Sequence, residues 1–399
     1  MRNLKDSHIA LLDQALFSGS NFLLTIVLSK LLRLELFGLY SSILLGAYLC
    51  VSLTNAIIIQ PAHTGLAKFD EGSYTAFLFV SQFGLNALLF SVSLFIPGVE
   101  IAYAVFGFAF LSHDFIRKYL LSTSAFKEAL WLDLIWVLAL ILLIASYYFV
   151  STTVDFDFFI YILSAAYLPS ILFGVVKTVS FKGIKGTKKY IRYHFKHGKW
   201  LLATAFVQWW SSNLLVVASG VYLGVAALGV LRLVQSVFGV ANLILQSFEN
   251  YLLPKVAKLM QNSPVFAYVE IKKAMALGYI IFIPLLILSF VFSSEIISLL
   301  TNENVEEYAI VIRAYALLYF LILINQPIRI LIRTLELNQL FFLGYVMCLV
   351  FNLLFANTLI QSYGIQGVLA GLIAIQLLLI GVWSILLIIK KQPIWKSYI

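Results

Sequence analysis

Along this chain, runs of about 20 apolar residues alternate with short polar stretches. Inside the runs the polar positions recur every three or four residues, the period of a helix face. A helix of that length crosses the hydrocarbon layer of a bilayer. Twelve spans are predicted, at about 8–31, 36–59, 75–97, 99–118, 127–150, 157–178, 200–223, 224–246, 273–293, 308–329, 340–360 and 367–389. The most informative stretch is Leu231 to Asn250. It is apolar overall, yet Arg232, Gln235, Asn242 and Gln246 recur at helical spacing, with Gly239 in the gap. They form one polar stripe down a helix. Hydrocarbon cannot solvate an amide or a guanidinium, so the stripe must face protein or water. This predicts a wet, mildly cationic cleft lined by span 8.

Two other spans carry polar faces. Span 1 has Gln14, Ser18, Asn21, Thr25 and Ser29; span 7 has Thr204, Gln208, Ser211 and Ser219, with Asn213 close by. Two readings fit them. One is a cavity that holds a polar headgroup by many hydrogen bonds. The other is interhelical glue, the common use of Ser, Thr, Asn and Gln between packed helices, to which Gly239 would add a close approach. Arg232 lies roughly 12 Å below the outer end of span 8 by helical rise, and its planar donor fork suits a phosphate. Asp13, a turn inside the cytoplasmic end of span 1, is a candidate for ion coupling or for a simple ion pair. Asp114, Arg117 and Asp133 sit near the same face and read as ion pairs there.

Composition then fixes the class. Of 399 residues 62% are hydrophobic and 11% charged, with a mean hydropathy of +0.98, which excludes an ordinary soluble domain. The net charge of +9 suggests nucleic acid until its distribution is counted. With the N-terminus cytoplasmic, 23 of the 27 basic residues fall on the cytoplasmic side, the exceptions being Lys30, Arg33, Arg232 and Arg313. The outer loops carry Glu35, Glu100, Asp155, Asp157, Glu295, Glu303, Glu306 and Glu307 instead. The positive-inside rule explains this split and places both termini in the cytoplasm; no nucleic-acid partner is expected. The first apolar run is interrupted early by Asp13 and Gln14 and is followed by no small-residue cleavage site, so no cleavable signal peptide is expected. Cys50 and Cys348 both fall in apolar segments and read as small core residues.

The chain also repeats itself. Gln14 to Asn21 parallels Gln208 to Asn213, Phe37-Gly38 parallels Leu228-Gly229, and Asn55 to Pro61 parallels Asn250 to Pro254, at offsets between 191 and 195 residues. Six spans per half is an even number, so the two halves run parallel, related by an axis along the membrane normal. The expected organisation is a six-helix bundle at 1–180, a basic cytoplasmic linker at 181–199 and a second six-helix bundle at 200–399. The linker is dense in Lys, Arg and His with interleaved aromatics. It reads either as a surface for anionic lipid headgroups or a lipid-linked phosphate, or as a positive-inside anchor lying in the interface.

The chemistry of an enzyme is missing from the sequence. The five histidines are dispersed, and no H-E-x-x-H, G-x-S-x-G or phosphate-loop motif occurs. Neither a cofactor nor a metal site is expected. The stretch L-L-D-Q-A-L-F-S-G-S-N-F-L-L-T-I-V-L-S-K-L-L-R-L-E-L-F-G-L-Y at the N-terminus resembles the first span of bacterial polysaccharide transporters of the O-antigen flippase kind. That family belongs to the superfamily of MATE multidrug exporters and lipid II flippases. H-D-F-I-R-K-Y-L-L-S-T-S-A-F-K-E-A-L-W-L-D at 113–133 is similar to the family's span 4–5 junction, with its Arg at Arg117 and its Asp at Asp133. Q-S-F-E-N-Y-L-L-P-K-V-A at 246–257 resembles the end of its span 8. The resemblance implies a MATE-like all-α fold of two six-helix bundles in the bacterial cytoplasmic membrane. It also implies export of an undecaprenyl-diphosphate-linked oligosaccharide by alternating access, with membrane lipids and other polysaccharide-synthesis membrane proteins as partners. Arg232 would then attract the diphosphate, and Gln14, Ser18, Asn21, Gln208, Asn213, Gln235, Asn242 and Gln246 would bond the sugar. The sequence departs from lipid II flippases in having a single central cation and no basic residue in span 2. An ion-coupled multidrug exporter on the same fold, a multi-span polysaccharide polymerase and a non-transporting scaffold are the alternatives.

Overall fold

The structure, a computed structural model, describes residues 4–69, 71–150, 155–178, 186–301 and 308–389. Residues 181–185 of the basic linker, the acidic Glu303, Glu306 and Glu307, and Lys390, Lys391 and Lys396 lie outside these. The described chain is all-helical. Its first elements are α1 (Leu4–Leu31), α2 (Leu34–Thr54), a π-helical turn (Asn55–Ile59), α3 (Gln60–Gly65), α4 (Glu71–Ser93) and α5 (Ile101–Ser122). Then come α6 (Phe126–Val150), α7 (Phe156–Ala165), α8 (Leu168–Thr178), α9 (Thr187–Tyr222) and α10 (Val225–Asn262). The last are α11 (Pro264–Val291), α12 (Ser293–Leu300), α13 (Ala309–Thr334) and α14 (Asn338–Ile389).

Among the described residues, nine helical stretches are long and apolar enough to cross a membrane. One of them, α14, is two helices in line. Gly364 breaks it with φ +56° and ψ −136°, a conformation that needs a residue without Cβ. α1 and α5 are not among the nine. Several helices overrun the spans predicted from hydropathy. α9 begins at Thr187 rather than at 200, and α10 runs on to Asn262 rather than ending at 246. Hydropathy marks only the length a bilayer tolerates, whereas the backbone stays helical until a capping or breaking residue intervenes, here Gly186 (φ +86°) and the Ser263-Pro264 pair. The described part of the 181–199 linker is therefore the first three turns of a helix that continues into span 7.

By Cα packing the chain divides into two compact units. Unit 1 is Met1–Leu24 with Ile43–Phe206; unit 2 is Thr25–Ser42 with Val207–Ile399. The boundary differs from a cut at the linker. It falls inside α9, and the corner from α1 to α2 belongs to the second unit.

Unit 1 is built on aromatic packing. Trp136 is fully buried and stacks on Tyr167 at 5.3 Å, while Tyr74, Phe77, Phe115 and Tyr190 fill a core beneath the π turn. A buried chain of side chains runs from Gln82 Nε2 to Asn86 Oδ1 (2.8 Å) and from Asn86 Nδ2 to Ser112 Oγ (3.0 Å), tying α4 to α5. In unit 2, Asn352 of α14 donates to the Ser211 carbonyl of α9 at 2.9 Å. Ser29, at the α1 corner, donates to the Leu300 carbonyl at 2.7 Å.

The sequence repeat has a structural meaning in unit 2. Gly38 and Gly229, equivalent positions of the two halves, face each other across the α2–α10 crossing. A Cβ on Gly229 would stand 3.0 Å from the Leu34 carbonyl oxygen and 3.1 Å from Gly38 Cα, and one on Gly38 would collide with the Val225 carbonyl. Gly239, by contrast, has open space where a Cβ would go, so it serves no close helix approach. Gly38→Val is therefore expected to destabilise the protein by about 2 kcal/mol or more through overpacking against backbone. Gly239→Ala is expected to leave the melting temperature in detergent unchanged or slightly raised. Thermal unfolding followed by size-exclusion fluorescence checks both.

Candidate functional site

The family-motif residues assemble in unit 1. Arg117, on α5, donates from Nη2 to Asp13 Oδ2 of α1 at 2.6 Å and from Nε to Asp133 Oδ2 of α6 at 2.7 Å. The Phe17 ring lies 4.0 Å from the guanidinium carbon. All three charged side chains are buried. His113 Nε2 stands 3.6 Å from the other oxygen of Asp133, too far for a hydrogen bond. One guanidinium thus spans two carboxylates and locks three helices together, as only a planar fork with separate donors can. The surface ion pairs expected at this end of the spans are instead one buried cluster; Asp114 alone makes a local pair, with Lys118 four residues on.

Unit 2 holds the complementary arrangement. Glu249 on α10 is buried and faces α13. It accepts from Arg333 Nη1, lies 3.4 Å from Arg329 Nε, and receives Gln326 Nε2 at 3.4 Å. Here one carboxylate meets two guanidinia, leaving positive charge in excess. Arg329 also lines a cavity of about 200 Å³ inside unit 2. By the volume of liquid water this has room for roughly six or seven molecules, or for one small polar group. α9 contributes Ser211 and Ser212, α10 Gln235 and Asn242, α13 Tyr315, Asn325 and Gln326, and α14 Gln376 and Trp383. Asn325 Oδ1 and Trp383 Nε1 are buried without a hydrogen-bond partner among the described residues. A buried polar atom left so is rare in native proteins and calls for water or a polar ligand.

The predicted site residues distribute as follows. Gln235 and Asn242 of the span 8 stripe reach the cavity. Arg232 is half-buried one turn away and donates from Nη1 to Gln235 Oε1 at 2.6 Å; it does not itself line the cavity. Gln246 is exposed. Gln208 lies on α9 one turn before the lining Ser211 and Ser212, and Asn213 donates back to the Trp209 carbonyl of its own helix at 2.9 Å. Of the span 1 residues, Gln14, Ser18 and Asn21 lie in unit 1, where Gln14 Nε2 donates to Ser18 Oγ (2.9 Å) and Asn21 to the Phe17 carbonyl (2.8 Å), whereas Thr25 and Ser29 lie in unit 2. Arg313 donates to Ser293 Oγ at 2.8 Å. Sequence reasoning missed Asn325, Gln326, Arg329 and Glu249. Two adjacent amides before Pro327 inside an apolar run were a readable signal; Arg329 was counted as a cytoplasmic anchor because it sits at a span end.

The Arg117 cluster makes a prediction. Arg117→Leu leaves two buried carboxylates uncompensated and is expected to cost about 3–5 kcal/mol. Arg117→Lys is expected to rescue little, since an ammonium cannot bridge both partners. The triple variant Asp13→Asn/Arg117→Leu/Asp133→Asn removes every charge and is expected to regain most of the loss. Melting temperatures of the purified variants measure this.

The model of a family described as polysaccharide biosynthesis protein matches residues 160–310. No curated protein matches the sequence. Among solved structures, the lipid II flippase MurJ in an inward closed conformation superposes with a TM-score of 0.71 at 13% identity, covering 99% of this chain and 89% of that one. A MATE multidrug resistance transporter of the MOP superfamily, in an inward-facing conformation, gives 0.69 at 13% identity over 96% and 95%. The MATE transporter DinF-BH gives 0.64 at 15% over 98% and 95%. The chain is a multi-pass membrane protein that shares the fold of the MOP superfamily and is similar to polysaccharide biosynthesis proteins over 160–310.

Proposed function

We propose that this protein is a flippase that carries a lipid-linked oligosaccharide across the bacterial cytoplasmic membrane, for surface polysaccharide synthesis. The observation that carries the reading is the unit 2 cavity. It is walled by amides and hydroxyls together with aliphatic side chains, carries an excess guanidinium, and keeps two buried polar atoms without partners among the described residues. Sugar hydroxyls both donate and accept, as amides do, so Gln235, Asn242, Asn325, Gln326 and Gln376 suit a glycan. Arg329, with Arg232 behind Gln235, suits the diphosphate that joins glycan to lipid. The match to polysaccharide biosynthesis proteins and the fold shared with a lipid II flippase support the same reading. In this reading the chain makes twelve spans with both termini cytoplasmic, the lipid tail stays in the bilayer, and the headgroup crosses by alternating access. The protein is a transporter and not an enzyme, and it works beside the other membrane proteins of the synthesis pathway. Asp13, held by Arg117, is the candidate for ion coupling.

A multidrug exporter is the second reading, favoured by the MATE transporters among the similar structures. A cationic drug would want a carboxylate in the cavity, and none lines it; Glu249 lies behind it, bound by arginines.

The test is a strain lacking this gene, complemented with variants. Gln235→Leu/Asn325→Leu and Arg232→Ala are each expected to cut surface polysaccharide at least tenfold, with normal amounts of protein in the membrane and lipid-linked intermediate accumulating inside. Full polysaccharide in both variants would refute the assignment. Drug sensitivity with unaltered polysaccharide in the deletion strain would favour the exporter.

A further inference from the structure

A second cavity, of about 620 Å³, lies in unit 1 where the first turns of α9 meet the loop after α3. Five cations line it: Lys68 from the loop, and Lys188, Lys189, Arg192 and Lys196 from α9. Lys188, Arg192 and Lys196 follow one another at intervals of four, so they stand in a row along one helix face. Like charges at that spacing repel. None of the five has an acidic partner within ion-pair distance among the described residues.

The row is nevertheless held in place. His194, on the opposite side of the helix, is buried; its Nδ1 donates to the Ile57 carbonyl in the π turn at 2.8 Å, and its Nε2 bonds the Tyr74 hydroxyl at 2.7 Å. The π turn makes that carbonyl reachable, because its wider hydrogen-bond spacing breaks the regular i→i−4 ladder. Gly198 lies over the same turn, where a Cβ would meet the Ala56 carbonyl oxygen at 3.4 Å, an ordinary packing distance. Tyr193 bonds the Thr64 hydroxyl at 2.6 Å. Aromatic rings then steer two of the lysines: Lys68 Nζ lies 5.4 Å from the Tyr193 ring, and Lys189 Nζ 4.9 Å from the Phe69 ring.

A charge that only sets topology requires none of this. The positive-inside rule counts lysines and arginines near a span end and is indifferent to how they are arranged. Here the cations line one concave space, and the helix that carries them is anchored by a buried histidine and by the Tyr193–Thr64 hydrogen bond. Such an arrangement gains most from an anion with several acceptor oxygens, which relieves the mutual repulsion of the row. The side is the one that the charge count assigns to the cytoplasm, at the level of lipid headgroups.

We propose that this cavity binds the phosphate of a lipid headgroup at the cytoplasmic membrane surface. The site is separate from the unit 2 cavity, and the inference stands whichever cargo that cavity carries. The test uses the full chain in nanodiscs of phosphatidylcholine, titrated with farnesyl diphosphate or with phosphatidylglycerol, binding being read by native mass spectrometry. Saturable binding of one molecule of either is expected. Lys188→Gln/Arg192→Gln/Lys196→Gln, all surface positions, is expected to weaken it at least tenfold. Lys258→Gln/Lys272→Gln/Lys273→Gln, which removes the same charge from α10 and α11, is expected to leave it unchanged. His194→Leu, read alongside by its melting temperature, is expected to weaken binding although no cation is removed. Equal affinity of the first triple variant and the wild type overturns the proposal, as does equal weakening by the control triple. Inorganic pyrophosphate binding as tightly as farnesyl diphosphate overturns the lipid part, whereas preference for farnesyl diphosphate over phosphatidylglycerol narrows the ligand to a diphosphate lipid.

Discussion

A charge taken out of water has to be answered by the protein itself, and in this chain the bilayer withholds the alternative. Both units meet the demand by pairing buried carboxylates with guanidinium groups, in opposite stoichiometry; the unit 1 cluster is buried throughout, whereas in unit 2 Glu249 is buried and Arg333 is exposed. Unit 1 sets one arginine, Arg117, between Asp13 and Asp133. Unit 2 sets one carboxylate, Glu249, between Arg329 and Arg333. The first joins α1, α5 and α6; the second joins α10 to α13. Each cluster fixes helix positions that apolar packing alone would leave free to slide, because lipid tails offer a leucine nearly the same environment as a neighbouring helix does. The first cluster therefore holds one carboxylate more than it has guanidinia, and the second one guanidinium more than it has carboxylates.

The same demand sorts the uncharged polar residues into two groups. Asn21, Asn213, Thr204, Ser211 and Ser219 donate to carbonyls of their own helices, three or four residues back. These bonds satisfy donors at small cost and need no neighbour. Asn325 and Trp383 differ, since each keeps a buried atom without a partner at the wall of the unit 2 cavity. Polar character in a span is therefore a weak indicator of function by itself. The informative residues are those whose hydrogen-bonding capacity is left unused at the wall of a cavity.

Basic residues near the span ends show how one property serves two purposes. By the positive-inside rule, the number and side of such residues orient a chain in a membrane. Along α9 they are also arranged, because His194, Tyr190 and Gly198 seat the helix against the π turn of Asn55–Ile59. The motif that carries this turn, Asn55 to Pro61, has a partner in the repeat at Asn250 to Pro254, where α10 runs on without a π turn. The two halves share a sequence pattern and use it differently, one to free a carbonyl for a histidine, the other to carry a carboxylate, Glu249, to two arginines.

Much of the fold was legible in the sequence. Hydropathy located the apolar helices, and the motifs around Asp13, Arg117 and Asp133 pointed to the superfamily whose fold the chain shares. These features are local or additive, so a linear reading recovers them. The stripe on span 8 was legible as polar, and Gln235 and Asn242 do reach a cavity. Which residues complete that cavity was not. Asn325, Gln326 and Arg329 lie some 80 to 90 residues further on, and Arg329 looked like one more interfacial anchor. Nor could the sequence show that Asp13 and Asp133 meet on one arginine, or that Gly38 and Gly229 touch. A hydrogen bond or an ion pair depends on positions within a few tenths of an ångström, and for residues far apart in the chain only tertiary packing supplies them.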